Sequence, residues 1–174
     1  MTVRPADFET ALTRRKTTLM AAGRRVARDE VGYYMDVQEA RLRQVGGADL
    51  RVTRRELSLV LEIAGPVAFE VGSSRLSARA MTVLANVAKV LADYRFSVIS
   101  IHGHTDDSGD AAQNQSLSEQ RALAVSRQLI AEGVTADRIL VVGHGAANPV
   151  APNATAEGRV QNRRIEVQVD PLVP

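Results

Sequence analysis

The 174-residue sequence contains no cysteine. That excludes a disulfide framework, a thiolate metal site and any lipid attached through a cysteine of this chain. Aromatic residues make up only 3% of the chain and tryptophan is absent. So few rings argue against the stacking platforms on which single-stranded nucleic acids are held, and no nucleic-acid partner is expected. No run approaches the roughly 18 consecutive apolar residues of a membrane span. Residues 1–20 alternate charge with small side chains, unlike the apolar core of a signal peptide.

What is present is a 45% apolar composition, enough for one compact domain with an extension. Net charge is only +2, but Arg4, Arg14, Arg15, Lys16, Arg24, Arg25 and Arg28 face only Asp7 and Glu9 within residues 1–28. A solvated helix face explains this basic arm more simply than contact with acidic lipid headgroups or nucleic acid does.

Good helix formers without proline run over residues 6–45 and end at Gly46-Gly47, which predicts one long helix or a broken one, with Gly23 and Gly32 as weak points. Leu57, Leu59, Leu61 and Ile63 then alternate with Ser58, Val60 and Glu62, the period of a half-buried strand. Gly65-Pro66 breaks it, and a short apolar piece covers 67–71. Ser77 is a candidate N-cap for a helix reaching Asp93. Residues 97–101 read as a core strand feeding a polar loop at 102–110, a helix follows to about Glu132, and Gly133 closes it. Residues 138–142 give a third strand. After a loop over 143–158, Ile165, Val167 and Val169 alternate with Glu166 and Gln168 in a last one. The fold class is therefore an α/β (α+β) sandwich, with helices packed on a mixed sheet of about four to five strands. Residues 1–47 are expected to be a helical spacer and 48–174 the functional domain, able to fold alone.

Leu117, Ala124, Val125 and Leu129 define the apolar stripe of the helix after the polar loop, and Arg121 falls on it, with Asn114 seven residues earlier on the same face. An arginine facing the core side needs a carboxylate or a ligand, because an unpaired buried charge is too costly to keep. Asp106 and Asp107 in the preceding loop offer the carboxylate. Asp106 could pair with Arg121 to pin helix to strand, or the two could await a ligand.

Around them, His102-Gly103-His104-Thr105-Asp106, Gly109, Asn114, Leu117-Ser118 and Arg121-Ala122 stand in one register. The string resembles the signature of OmpA C-terminal domains, G-H-T-D followed by G, N, L-S and R-A. The resemblance continues through Gly133-Val134, Arg138-Ile139, Gly143, Gly145, Pro149, Asn153, Thr155, Glu157-Gly158-Arg159 and Asn162-Arg163-Arg164-Ile165-Glu166, and spans roughly residues 67–169. Such a run at consistent spacing is far more specific than a lone motif. Residues 32–43 are similar to the segment preceding this domain in OmpA-type outer-membrane lipoproteins. Those proteins carry a signal peptide, a lipidated cysteine and a glycine-rich stretch, none of which occurs in this sequence. One departure is Phe69-Glu70, where the family usually reads F-D.

The resemblance implies non-covalent peptidoglycan binding without turnover, in the periplasm at the outer membrane, with no cofactor. Membrane association would come only through an anchor outside this sequence, and the N-terminal helix leaves a homodimer open. In such domains the matching aspartate and arginine grip the ammonium and carboxylate of meso-diaminopimelate in the stem peptide. Carried over, these are Asp106 and Arg121. Thr105, Asn114, Leu117, Arg163 and Gly72 would line or brace the pocket. A fixed carboxylate and a planar guanidinium suit a zwitterionic end. Flagellar stators and type VI secretion anchors use similar domains and form an alternative context.

A rival class is a metal-dependent hydrolase, because His102, His104 and Asp106 lack only the last histidine of an H-x-H-x-D-H signature. Such a site needs three or more protein ligands and an open position. The only other histidine, His144, lies between two glycines, so no metal site is expected. Neither a nucleophile elbow nor a phosphate loop occurs, and no catalytic residue is assigned.

Overall fold

The computed structural model describes residues 1–70 and 72–174. In chain order it contains β1 (Thr2–Val3), α1 (Phe8–Ala21), α2 (Val31–Gly46), β2 (Arg51–Arg55), β3 (Ser58–Ala64), α3 (Gly65–Ala68), α4 (Ala78–Asp93), β4 (Ser97–His104), α5 (Ala111–Ala131), β5 (Ile139–Gly143), α6 (Ala156–Asn162) and β6 (Arg164–Pro171). The strands form one mixed sheet in the order β1-β5-β4-β6-β3-β2, parallel from β1 to β4 and antiparallel beyond.

The sheet thus has six strands where four to five were expected. Both additions are edges with little signal: β1 has two residues, too few to show a period, and β2 reads Arg-Val-Thr-Arg-Arg, with Val52 its one buried side chain. Charged residues on an edge strand oppose pairing with another chain. The alternation expected over 57–63 holds for Leu59, Leu61 and Ile63, which are buried. Leu57 is exposed because it sits in the turn between Arg55 and Ser58.

Alternating side chains give the sheet two cores. Leu59, Leu61, Ile63, Ile99, Ile101, Ile139, Val141, Ile165, Val167 and Val169 pack against α2, α4 and α5. Val98, Leu140 and Val142 project the other way, onto Phe8, Leu12 and Leu19 of α1. β4 lies between the layers and is buried along its whole length. The long N-terminal helix is broken: Gly23 takes a φ of +80°, and α2 restarts at Val31 with Gly32 inside it. Instead of standing apart, residues 1–47 cover both sheet faces, with Met35 and Leu42 fully buried.

Caps fix the elements that carry the polar loops. Ser77 Oγ accepts from Ala80 N at the start of α4, and Asp110 Oδ1 accepts from Ala112 N and Gln113 N at the start of α5. A β-carbon at Gly103 would strike the Ser118 carbonyl, so glycine there lets α5 lie directly on β4. Gly65 plays the same part opposite β6: its N donates to Arg163 O at 2.6 Å, and a β-carbon would come within 2.7 Å of that oxygen. The apolar piece expected over 67–71 begins as α3, started by Pro66 in the first turn. Phe69 then forms an isolated bridge to Leu76, and Val71 lies outside the described residues.

Candidate binding cleft

Where β4 ends, the chain turns sharply. Thr105 N donates to Gly145 O at 2.9 Å, tying the loop after β4 to the loop after β5. Asp106 follows, buried, with Oδ1 accepting from Ser108 N at 2.9 Å in a local turn. Its Oδ2 accepts from Arg163 Nη1 at 2.5 Å. Asn114 Nδ2 donates to the carbonyls of Asp106 (3.3 Å) and Ser108 (3.0 Å), stapling this turn to α5. Leu117 and Arg121, three and seven residues further along α5, share that face.

Arg121 is 8% exposed, yet no carboxylate among the described residues lies within salt-bridge distance of it. Its Nε donates to the Ser73 carbonyl at 3.1 Å, and its guanidinium carbon lies 4.9 Å from the centroid of the Phe69 ring. Asp106 therefore pairs with Arg163, and the pinning of helix to strand by an Asp106–Arg121 bridge does not occur. Between these groups opens a cleft of about 410 Å³. It is lined by Gly72, Thr105, Asp106, Asn114, Leu117, Arg121 and Arg163, all seven residues singled out from sequence. Gly72 takes a φ of +67°, a left-handed conformation that glycine adopts without strain. Glu70, on the rim, lies 3.7 Å from Arg75.

Burial pushes the Asp106 carboxyl up, but the Ser108 N–H and the Arg163 guanidinium outweigh it and hold the group below the usual carboxylate range. Burial lowers the Arg121 guanidinium, Arg163 adds to this, and Asp106 opposes it. The cleft so presents a fixed anion beside a cation without an anionic partner. Thr105 Oγ1 is buried there with no hydrogen-bond partner among the described residues.

Sequence reasoning missed the groups that hold Arg121: the Phe69 ring and the Ser73 carbonyl. They lie some fifty residues away in sequence, and nothing in the local pattern ties them to α5. A larger hollow of about 650 Å³ lies between the first residues and α1, but the basic arm there is mostly engaged. Arg4 pairs with Asp7, Lys16 with Asp170 and Arg24 with Asp137, while Arg15 and Arg28 donate to the carbonyls of Asp137 and Pro174. These contacts favour the solvated-face reading of the arm.

The histidines of the H-x-H-x-D string lie away from the cleft. His102 Nδ1 is 2.9 Å from His144 Nε2, His144 Nδ1 is 3.1 Å from Asn148 Nδ2, and the His104 ring stacks on His144 at 4.7 Å. Burial, reinforced by neighbouring imidazoles and for His104 by Arg164, lowers His102 to about 3 and His104 to about 2. Both are neutral at pH 7. Among the described residues, no group of three or more His, Cys, Asp or Glu is arranged to hold a metal ion. Asp106, the string's acid, is committed to Arg163.

Residues 68–163 match the model of the OmpA family. The chain is 44% identical over 143 residues to the "Probable lipoprotein YiaD" of Escherichia coli, covering 82% of this chain and 65% of that protein. It is 42% identical over 106 residues to the "Peptidoglycan-binding protein ArfA" of Mycobacterium tuberculosis, covering 61% of this chain and 32% of the relative. It thus spans less than two thirds of the length of these relatives. The cell wall anchor of the type VI secretion system from Pseudomonas aeruginosa superimposes with a TM-score of 0.67 at 28% identity, covering 76% of this chain and 96% of that one. With the family model spanning more than half of its residues, the chain belongs to the OmpA family.

Proposed function

We propose that this domain binds peptidoglycan non-covalently, gripping the meso-diaminopimelate residue of the stem peptide between Asp106 and Arg121. The carrying observation is the charge arrangement of the cleft. Asp106 is a fixed carboxylate, and Arg121 is a buried guanidinium whose Nη1 and Nη2 have no hydrogen-bond acceptor among the described residues. A ligand end bearing both an ammonium and a carboxylate satisfies the two together, and charge-assisted contacts of this kind are the strong ones. The names of ArfA and of the secretion-system wall anchor support the same ligand class.

In this reading the protein has no turnover and acts in the periplasm, tying the outer-membrane side of the envelope to the wall. The boundary near residue 47 divides labour: recognition lies after it, and the residues before it pack the sheet. No helix among the described residues is long and apolar enough to cross a membrane. The test is cosedimentation with isolated sacculi. Wild-type protein pellets with them, and Asp106→Ala and Arg121→Ala stay in the supernatant while remaining folded by circular dichroism. Folded variants that still pellet with wild-type affinity would overturn the assignment.

A further inference from the structure

We propose that Phe69 is a positioning residue that sets the selectivity of this cleft for a free carboxylate; the proposal rests on the ligand reading given above. It follows from how Arg121 is held. A guanidinium has flat faces and hydrogen-bonding edges. In Arg121 the guanidinium carbon lies over the Phe69 ring, 4.9 Å from its centroid, and the Nε–H is taken by the Ser73 carbonyl at 3.1 Å. Both contacts leave the Nη1/Nη2 end of the fork without an acceptor among the described residues. That end is the edge that matches a carboxylate bidentately.

The alternative partner is close by. Asp106 lines the same cleft and acts electrostatically on Arg121. A guanidinium released from its support would turn toward that carboxylate, and the cleft would then satisfy itself. An aromatic face opposes this turn because its quadrupole attracts the cation broadside. An aliphatic side chain of similar volume fills the space but has no such pull. Phe69 is itself 5% exposed and held by its bridge to Leu76, so the platform is fixed. Arg163 differs from Arg121 in already holding a carboxylate, Asp106, through Nη1.

The prediction concerns discrimination, which loss of packing alone would not change. Binding is measured by calorimetry with two soluble muropeptides, one with a free diaminopimelate side-chain carboxylate and one with that carboxylate amidated. The full chain is used as wild type, Phe69→Tyr and Phe69→Leu. Wild type prefers the free carboxylate by about tenfold or more, as expected for the loss of one charge-assisted bond. Phe69→Tyr keeps the ring and the preference. Phe69→Leu loses affinity for the free-carboxylate ligand down to the level of the amidated one, while its affinity for the amidated ligand changes little. Should Phe69→Leu weaken both ligands equally, or keep the wild-type preference, Phe69 only packs the core and the proposal fails. If Phe69→Leu does not fold, a Phe69→Tyr or Phe69→Trp protein that folds but has lost the preference overturns it equally. Wild-type protein that binds both ligands alike would instead overturn the carboxylate reading of the cleft.

Discussion

Replacing Arg121 by alanine separates what the cleft contributes to the fold from what it offers a ligand. If Arg121 held a carboxylate of its own chain, its removal would strand a buried charge and cost about 3–5 kcal/mol. Among the described residues it has none: Asp106 keeps Arg163, and Arg121 keeps a backbone carbonyl and an aromatic ring. Losing the Ser73 hydrogen bond and the Phe69 stack costs about 2–4 kcal/mol together. The same substitution relieves the desolvation of a buried cation, an effect of several kcal/mol per ion, while the lost repulsion from Arg163 is offset by the lost attraction to Asp106. The two sides nearly cancel, so the change in stability should be about 1 kcal/mol or less. Affinity has no such compensation, because each hydrogen bond to a charged group contributes about 1.5–3 kcal/mol, and 1.4 kcal/mol is tenfold in Kd. Urea melts and calorimetric titrations with a diaminopimelate muropeptide, run on one Arg121→Ala preparation, give both numbers. A loss of about 3 kcal/mol or more in stability, with unchanged affinity per folded molecule, would refute this reasoning.

Deleting residues 1–47 uncovers Val52, Leu84 and Leu140 and removes Phe8, Leu12, Met35 and Leu42, at about 1.5–3 kcal/mol per large buried side chain. The remainder should lose its cooperative thermal transition by circular dichroism, and an unchanged transition would count against the packing role. Acid should destabilise the fold through His102 and His104, whose folded-state pKa values of about 3 and about 2 lie below the ordinary 6.5. Between 6.5 and 3 only the unfolded chain takes up these protons, so stability falls with pH by about 1.4 kcal/mol per unit for each histidine. The urea midpoint should drop from pH 7 to pH 5 and stay flat from pH 7 to pH 8; a midpoint that holds down to pH 5 would contradict this.

Much of this was legible in the chain because it is local. Ser77 announces its helix as a cap, and the period-2 runs at 59–63 and 165–169 give strands of the core. The placement of Asn114, Leu117 and Arg121 on one face follows from helical spacing alone. Asp106 reached the list through the family string, but its partner did not follow from it. Which of Arg121 and Arg163 takes the carboxylate is decided where β6 enters the sheet beside α3, a contact made by the close approach of Gly65 to Arg163. The docking of the N-terminal helices was illegible for a related reason. Their apolar residues are sparse, and only the two-sided burial of β4 shows that both sheet faces need covering. The histidine string looked like a metal motif in sequence because its i, i+2, i+4 spacing would put three side chains on one face of a strand; β4 ends at His104 and the chain turns there, so Asp106 leaves the histidines and pairs with Arg163.

In the proposed reading, the cleft recognises the free ammonium and carboxylate of meso-diaminopimelate together. Calorimetry of the wild-type chain against soluble muropeptides of the diaminopimelate and lysine types tests it most directly, since lysine keeps the ammonium and lacks the carboxylate. The diaminopimelate ligand should bind at least about tenfold tighter than the lysine ligand. Equal affinity for the two would contradict it.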